Sequence, residues 1–104
     1  MKKESCQPRK TNTDLEKAIN FLKVISEPNR LKILYLLQRK KICVCEIGEC
    51  LNLPQNLVSH HLSVLRKEGI VSMKKSGLKV FYEVQEKVIK NKLKVLRKIL
   101  LKKL

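Results

Sequence analysis

Ile42-Cys43-Val44-Cys45-Glu46-Ile47-Gly48-Glu49-Cys50-Leu51-Asn52-Leu53-Pro54-Gln55-Asn56-Leu57-Val58-Ser59-His60-His61-Leu62-Ser63-Val64-Leu65-Arg66-Lys67-Glu68-Gly69 decides how this chain folds. The stretch opens with two cysteines one residue apart, passes a short polar break at Asn52 to Pro54, and stops at Gly69, which can take the left-handed conformation that closes a helix. Two short helices joined by a tight turn account for that layout: helix three from about Val44 or Cys45 to Leu51, and helix four from about Gln55 to Lys67. At 100° per residue, Val58, Leu62 and Leu65 fall within a narrow arc of helix four, flanked by Leu57 and His61. Asn56, Ser59, His60 and Ser63 fall on the other side. One face packs and the other is free for a partner.

Upstream, residues 1–12 are polar and basic without periodicity and read as a mobile arm. Thr13-Asp14-Leu15-Glu16 has the spacing of a capping box, and Leu15, Ala18, Ile19 and Leu22 recur at helical spacing to about Ile25. Ser26-Glu27-Pro28 breaks that helix and starts a second, because proline is tolerated in a first helical turn but not in an interior. In this second helix Leu31, Ile33, Leu34, Leu36 and Leu37 form a nearly all-round apolar segment, expected at the centre of the molecule. Downstream of Gly69 the period turns strand-like: Ile70 to Lys74 and Leu78 to Val84 flank Lys75-Ser76-Gly77 as a hairpin with a basic tip. From Gln85 to Leu104 a last helix carries Ile89, Leu93, Leu96 and Leu100 as an apolar seam. Nothing else in so small a domain is left to cover that seam, so it is expected to pack against a second copy.

The 104 residues have room for one domain, 13–104, behind the arm. With two Tyr, two Phe and no Trp, the core must be built from Leu, Ile and Val. A formal charge of +15 favours polyanionic partners, with nucleic acid first among them. No run approaches the roughly 18–20 apolar residues of a membrane span, and the first residues lack the apolar centre of a signal peptide, so a cytoplasmic protein without a membrane partner is expected. In that reducing compartment Cys6, Cys43, Cys45 and Cys50 read as thiols, metal ligands or redox sensors before structural disulfides. No nucleophile with a base and orienter, and no phosphate-cradling glycine loop, points to an enzyme or to a small-molecule substrate.

Three helices followed by a basic hairpin give a mainly α fold with a small β-hairpin, the order of a winged helix-turn-helix. In that fold the second helix of the pair enters the major groove. Gln55, Asn56, Ser59, His60 and Ser63 are therefore assigned to base edges, with Gln and Asn suited to adenine because each planar amide offers a donor and an acceptor. Lys74, Lys75 and Lys79 of the wing are assigned to phosphate. Adjacent histidines on a helix point about 100° apart, so His60 is read as groove-facing and His61 as packed at the core edge, not as metal ligands.

Three segments resemble the ArsR/SmtB metalloregulatory repressors. Ser26-Glu27-Pro28-Asn29-Arg30-Leu31-Lys32-Ile33-Leu34 is similar to the opening of that family's second helix. Ile42-Cys43-Val44-Cys45-Glu46-Ile47 is similar to its cysteine box, and Val58 to Arg66 to its recognition helix. The resemblance covers about Leu15 to Val84. It implies a homodimer, paired through N- and C-terminal helices, that holds double-stranded operator DNA without a cofactor and releases it when a thiophilic ion binds.

Cys43 and Cys45 are the first ligands expected, as a soft ion prefers thiolates. Residues two apart on a regular helix diverge by about 200°, so both reach one ion only if the first turn of helix three is distorted. A further cysteine of the arsenic-responsive branch is replaced here by Gly48. Cys50 is read as a small packed core residue and a less favoured ligand. Cys6 in the arm is the preferred third ligand, as the resemblance to the cadmium-responsive branch implies. Three sulfurs suit As(III) or Sb(III), whereas Cd(II), Pb(II) and Zn(II) more often take a fourth ligand. The zinc ligands that the family carries between subunits are not found in the last helix. Two other readings are a thiol-based redox or sulfur-species sensor and a constitutive DNA-binding protein.

Overall fold

The computed structural model describes residues 13–39 and 42–101, so the arm and Cys6 lie outside the described residues. Five helices and one hairpin follow in the order α1 (Thr13–Ile25), α2 (Pro28–Arg39), α3 (Val44–Leu51), α4 (Gln55–Lys67), β1 (Val71–Ser76), β2 (Lys79–Val84) and α5 (Glu86–Leu100). Thr13 is already helical, one position inside where a capping hydroxyl would stand. Pro28 does begin α2, and Glu27 caps it. The Glu27 carboxylate accepts the Arg30 N–H at 2.9 Å, and its carbonyl accepts the Leu31 N–H.

The core is aliphatic with one aromatic ring: Phe21 and Val24 from α1, Ile33, Leu34 and Leu37 from α2, then Ile42, Ile47, Val58, Leu62, Leu65, Ile70 and Val71. Ile33, Ile47, Val58, Leu65 and Ile70 have no exposed surface, and each such side chain contributes about 1.5–3 kcal/mol by leaving water. The second helix is not buried all round, since Leu31 and Tyr35 stand on an outer face and Arg39 lies over the Tyr35 ring. Clustering of leucines in sequence overstated its burial, because at helical spacing Leu31 and Tyr35 turn away from Ile33, Leu34 and Leu37.

Between α3 and α4 the chain reverses at Asn52, which takes the left-handed conformation (φ 56°, ψ 50°) that a short polar side chain tolerates. The Leu53 N–H then donates to the Gly48 carbonyl at 2.9 Å, and Pro54 supplies the extended residue in front of α4. Gly48 is buried in this turn. A Cβ there would meet the Leu53 carbonyl oxygen at 3.0 Å and Val58 at 3.7 Å, so the close approach of α3 to α4 depends on a missing side chain.

The hairpin pairs Val71 with Val84 through Ser76 with Lys79. That register leaves a two-residue turn, Gly77-Leu78, with Gly77 at φ +64°, in place of the expected Lys75-Ser76-Gly77 loop. Two-residue hairpin turns match strand twist best and take glycine where φ is positive, so β1 runs on to Ser76. The Gln85 N–H returns to the Ile70 carbonyl and its carboxamide donates to the Ser72 hydroxyl at 2.6 Å, closing the base of the wing.

α5 lies along α1. The Lys98 ammonium is 3.7 Å from the Asp14 carboxylate, and the Lys92 ammonium sits 6.0 Å from the Phe21 ring centre. The apolar seam is thus partly covered within the chain, with Ile89 against the core and Leu96 half-buried. Leu93 and Leu100 remain exposed, as do Ile19 and Leu22 of α1. Gly48→Val, which forces a branched side chain against the Leu53 carbonyl, is predicted to lower unfolding free energy by about 1–3 kcal/mol. Urea denaturation checks this, and stability equal to that of the unaltered chain would contradict it.

Candidate nucleic-acid interface and thiol pair

The buried side of α4 consists of Val58, His61, Leu62 and Leu65, and this fixes which residues face out. Gln55, Asn56, Ser59, His60 and Ser63 are all exposed along one side. Gln55 also leans back towards α3, with its carboxamide oxygen 4.0 Å from where a Gly48 Cβ would lie.

One guanidinium holds this helix in place. Arg30 donates through Nε to the Val24 carbonyl at the end of α1 (2.7 Å) and through Nη1 to Nδ1 of His61 (3.2 Å), so α1, α2 and α4 meet at one side chain. Guanidinium has no acceptor, so the His61 ring must accept at Nδ1 and carry its proton on Nε2. Nε2 lies 3.8 Å from the Glu27 carboxylate, an electrostatic contact too long for a hydrogen bond. Burial, the largest cause, pushes the His61 pKa below its ordinary 6.5, with Arg30 and His60 acting the same way against Glu27. Partial burial raises the Glu27 carboxyl, but the Arg30 N–H, the His61 ring, the Asn29 N–H and the Arg30 charge together hold it below its ordinary value. At the far end of α4, the Asn20 carboxamide donates to Glu68 at 2.6 Å, a second tie to α1.

The wing carries exposed Lys74, Lys75 and Lys79. Lys74 is 3.6 Å from the Glu83 carboxylate across the hairpin, so its charge is partly matched within the wing. At the wing's base, Arg66 and Tyr82 both approach the Met73 sulfur, at 3.8 and 3.6 Å.

The two cysteines of the entrance converge: their sulfurs lie 2.8 Å apart. No distortion of α3 is needed, because Cys43 is not helical. It precedes α3 with φ −86° and ψ 168°, and its backbone forms an isolated antiparallel bridge with Phe81 of β2. The helical divergence expected of a Cys-x-Cys pair therefore does not apply here. The Cys43 N–H donates to the Glu46 carboxylate at 2.9 Å, which fixes this first turn. Cys43 is buried and Cys45 exposed. The hydrogen bond the Cys45 thiol gives to the Cys43 sulfur, then burial and the neighbouring Cys43 and Glu46 charges, push the Cys45 thiol above its ordinary value.

Cys50 is exposed, which corrects the expectation of a packed core thiol. The buried residues of α3 are Ile47 and Gly48, and Cys50 falls two positions beyond that face. Gly48 itself leaves no room for a side chain. Among the described residues no three His, Cys, Asp or Glu side chains are gathered to hold an ion. The pair nevertheless suits a soft one. Two sulfurs each about 2.3 Å from one ion at a tetrahedral angle lie about 3.8 Å apart, close to the contact distance of two unbonded thiols, so a juxtaposed pair can share one ion.

The Glu27-Arg30-His61 clamp and the Cys43–Phe81 bridge were not anticipated from sequence. A Glu-Pro-x-Arg opening of α2 together with a histidine on the packed side of α4 was the available signal for the clamp. Because the folded pKa of His61 is depressed, its stabilising contribution is complete above the unfolded pKa and is lost as pH falls below about 6.5. Glu27 acts in the same sense only below about 4.5, a separate window. His61→Gln, which keeps an acceptor for Arg30 without titrating, is predicted to flatten the decline in unfolding free energy between pH 7.5 and 5.5. Undiminished pH dependence in this variant would contradict it.

Residues 27–73 match the model of the bacterial regulatory protein, arsR family. An uncharacterized HTH-type transcriptional regulator of Methanocaldococcus jannaschii is 41% identical over 81 residues, 77% of this chain and 91% of that protein. The cadmium resistance transcriptional regulatory protein CadC of Listeria innocua is 36% identical over 77% of this chain and 68% of its own length. Among solved structures, HlyU from Vibrio cholerae superposes with a TM-score of 0.71 at 30% identity, covering 86% of this chain and 98% of that one. Winged-helix architecture and these matches agree: the chain belongs to the ArsR/SmtB family of transcriptional regulators.

Proposed function

We propose that this protein is a repressor that binds operator DNA as a homodimer and releases it when a thiophilic ion is held by Cys43 and Cys45. The observation carrying this reading is the 2.8 Å approach of the two sulfurs at the start of α3. In the bound form Gln55, Asn56, Ser59, His60 and Ser63 face base edges, while Lys75 and Lys79, with Lys74 less strongly, lie against phosphate. The relative named for cadmium resistance supports a metal inducer. Cys6 is the proposed third ligand, and three sulfurs favour As(III) or Sb(III), with Cd(II), Pb(II) and Zn(II) next; Cys50, exposed, is the fallback.

Coupling runs through the chain's own contacts. An ion held between the sulfurs bears on Cys43, whose backbone pairs with Phe81 of the wing. It also bears on the first turn of α3, a helix fitted against Leu53 and Val58 at Gly48. Wing and reading helix thus both depend on where Cys43 sits. A difference in ion affinity between bound and released forms of about 1–3 kcal/mol is enough to switch.

The dimer is proposed to form through the outward apolar side chains of α1 and α5, Ile19, Leu22, Leu93 and Leu100. The short sulfur contact also favours a second reading, in which Cys43 and Cys45 join as a disulfide and pass two electrons and two protons to an oxidant such as a polysulfide.

Arsenite added under reducing conditions to a preformed complex with a duplex selected from a random library is predicted to lower DNA affinity about tenfold or more. Cys43→Ser and Cys45→Ser each abolish that response. Unchanged affinity at saturating arsenite would contradict the ion switch, and release by oxidant alone would favour the disulfide. Leu93→Asp is predicted to convert the dimer to a monomer in sedimentation equilibrium, and a dimer that persists would contradict the proposed interface.

A further inference from the structure

The outermost residue of the wing is a leucine. Leu78 is as exposed as a side chain can be, at 103% of its reference surface, because the two-residue turn with Gly77 at φ +64° holds it at the apex. It makes no contribution to the core, and the hairpin turn needs only Gly77, not an apolar neighbour. Lys79 adjoins it in sequence, Lys75 lies one register pair back, and Lys74 is partnered by Glu83. An isolated exposed leucine on a helix calls for no explanation. One at the tip of a basic hairpin, on a chain of net charge +15, has a partner that suits both its apolar body and its charged surround.

We infer that Leu78 enters the minor groove of the bound duplex as an apolar wedge, with Lys75 and Lys79 on the flanking phosphate walls. The inference rests on the DNA-reading proposal above. Apolar side chains set into the minor groove contact sugar walls and base edges and can open a base step, bending the duplex. Lysines beside them supply attraction that fades with salt, whereas the apolar contact involves no counterion release and does not. The wedge and the lysines are therefore separable by salt dependence. The step most easily opened is a flexible pyrimidine–purine step, so the tip would contribute sequence preference beside the positions read by α4.

The test uses the full chain and a duplex selected by it from a random library, with affinity measured across a salt series. Leu78→Ala is expected to weaken binding about tenfold with the salt slope unchanged, and Leu78→Met to restore most of the loss. Lys79→Ala is expected to flatten the slope by about one unit. Thermal unfolding of Leu78→Ala should match that of the unaltered chain, since the side chain touches no core residue. Energy transfer between the duplex ends should report a smaller bend for Leu78→Ala. Leu78→Ala binding within twofold of the unaltered chain overturns the wedge while leaving the reading helix in place. A slope that changes with Leu78→Ala overturns it too, because the leucine would then merely position lysines. Failure of the unaltered chain to select any duplex overturns both proposals. Binding to phosphatidylglycerol vesicles that depends on Leu78, with duplex binding indifferent to it, would assign the tip to a membrane surface and also overturn the wedge.

Discussion

The backbone of Cys43 belongs to two elements at once, and much of the molecule's arrangement follows. As the extended residue before α3 it starts a helix, with its N–H given to the Glu46 carboxylate. As the partner of Phe81 it is also a one-residue strand at the edge of the wing. Because it is extended, its side chain does not follow the helical 100° progression, and its sulfur reaches that of Cys45. A helical Cys43 would separate the sulfurs and unhook α3 from β2. One local conformation therefore sets both the thiol geometry and the connection between helix-turn-helix and hairpin.

The fourth helix has a different kind of support. α4 is pinned from behind by Arg30, which spans from the Val24 carbonyl to the His61 ring, and at its far end by Asn20 on Glu68. The apolar contacts of Val58, Leu62 and Leu65 supply most of the burial, but they are non-directional. The guanidinium and imidazole add direction, fixing rotation about the helix axis and hence which side chains face outward. Gly48 sets the distance to α3. Burial, a polar clamp and an absent side chain thus each fix a different coordinate of the same helix.

Much of this was legible in the sequence. The 3.6-residue period placed α1 to α4 closely, Pro28 marked the start of α2, and the change to a strand-like period after Gly69 gave the wing. The packed side of α4 followed from Val58, Leu62 and Leu65, including His61 at its edge. What failed were inferences from neighbouring residues alone. Leucines in α2 looked central although Leu31 faces out, and Cys50 looked packed although α3 buries Ile47 and Gly48 instead. The Cys-x-Cys pair looked divergent because periodicity is silent about a residue standing just before a helix. The Cys43–Phe81 bridge joins positions far apart in sequence, and no local pattern announces it.

The claim that most needs testing is that the thiol pair communicates with the wing through Cys43. The backbone amide resonances of Val80, Phe81 and Tyr82 in the reduced protein, followed by NMR as one equivalent of arsenite is added, test it directly. Coupling through the bridge predicts that these amides shift together with Cys43 and Cys45, and that Cys43→Ser removes the wing response. Shifts confined to α3 and α4, in protein that still releases DNA, would contradict it.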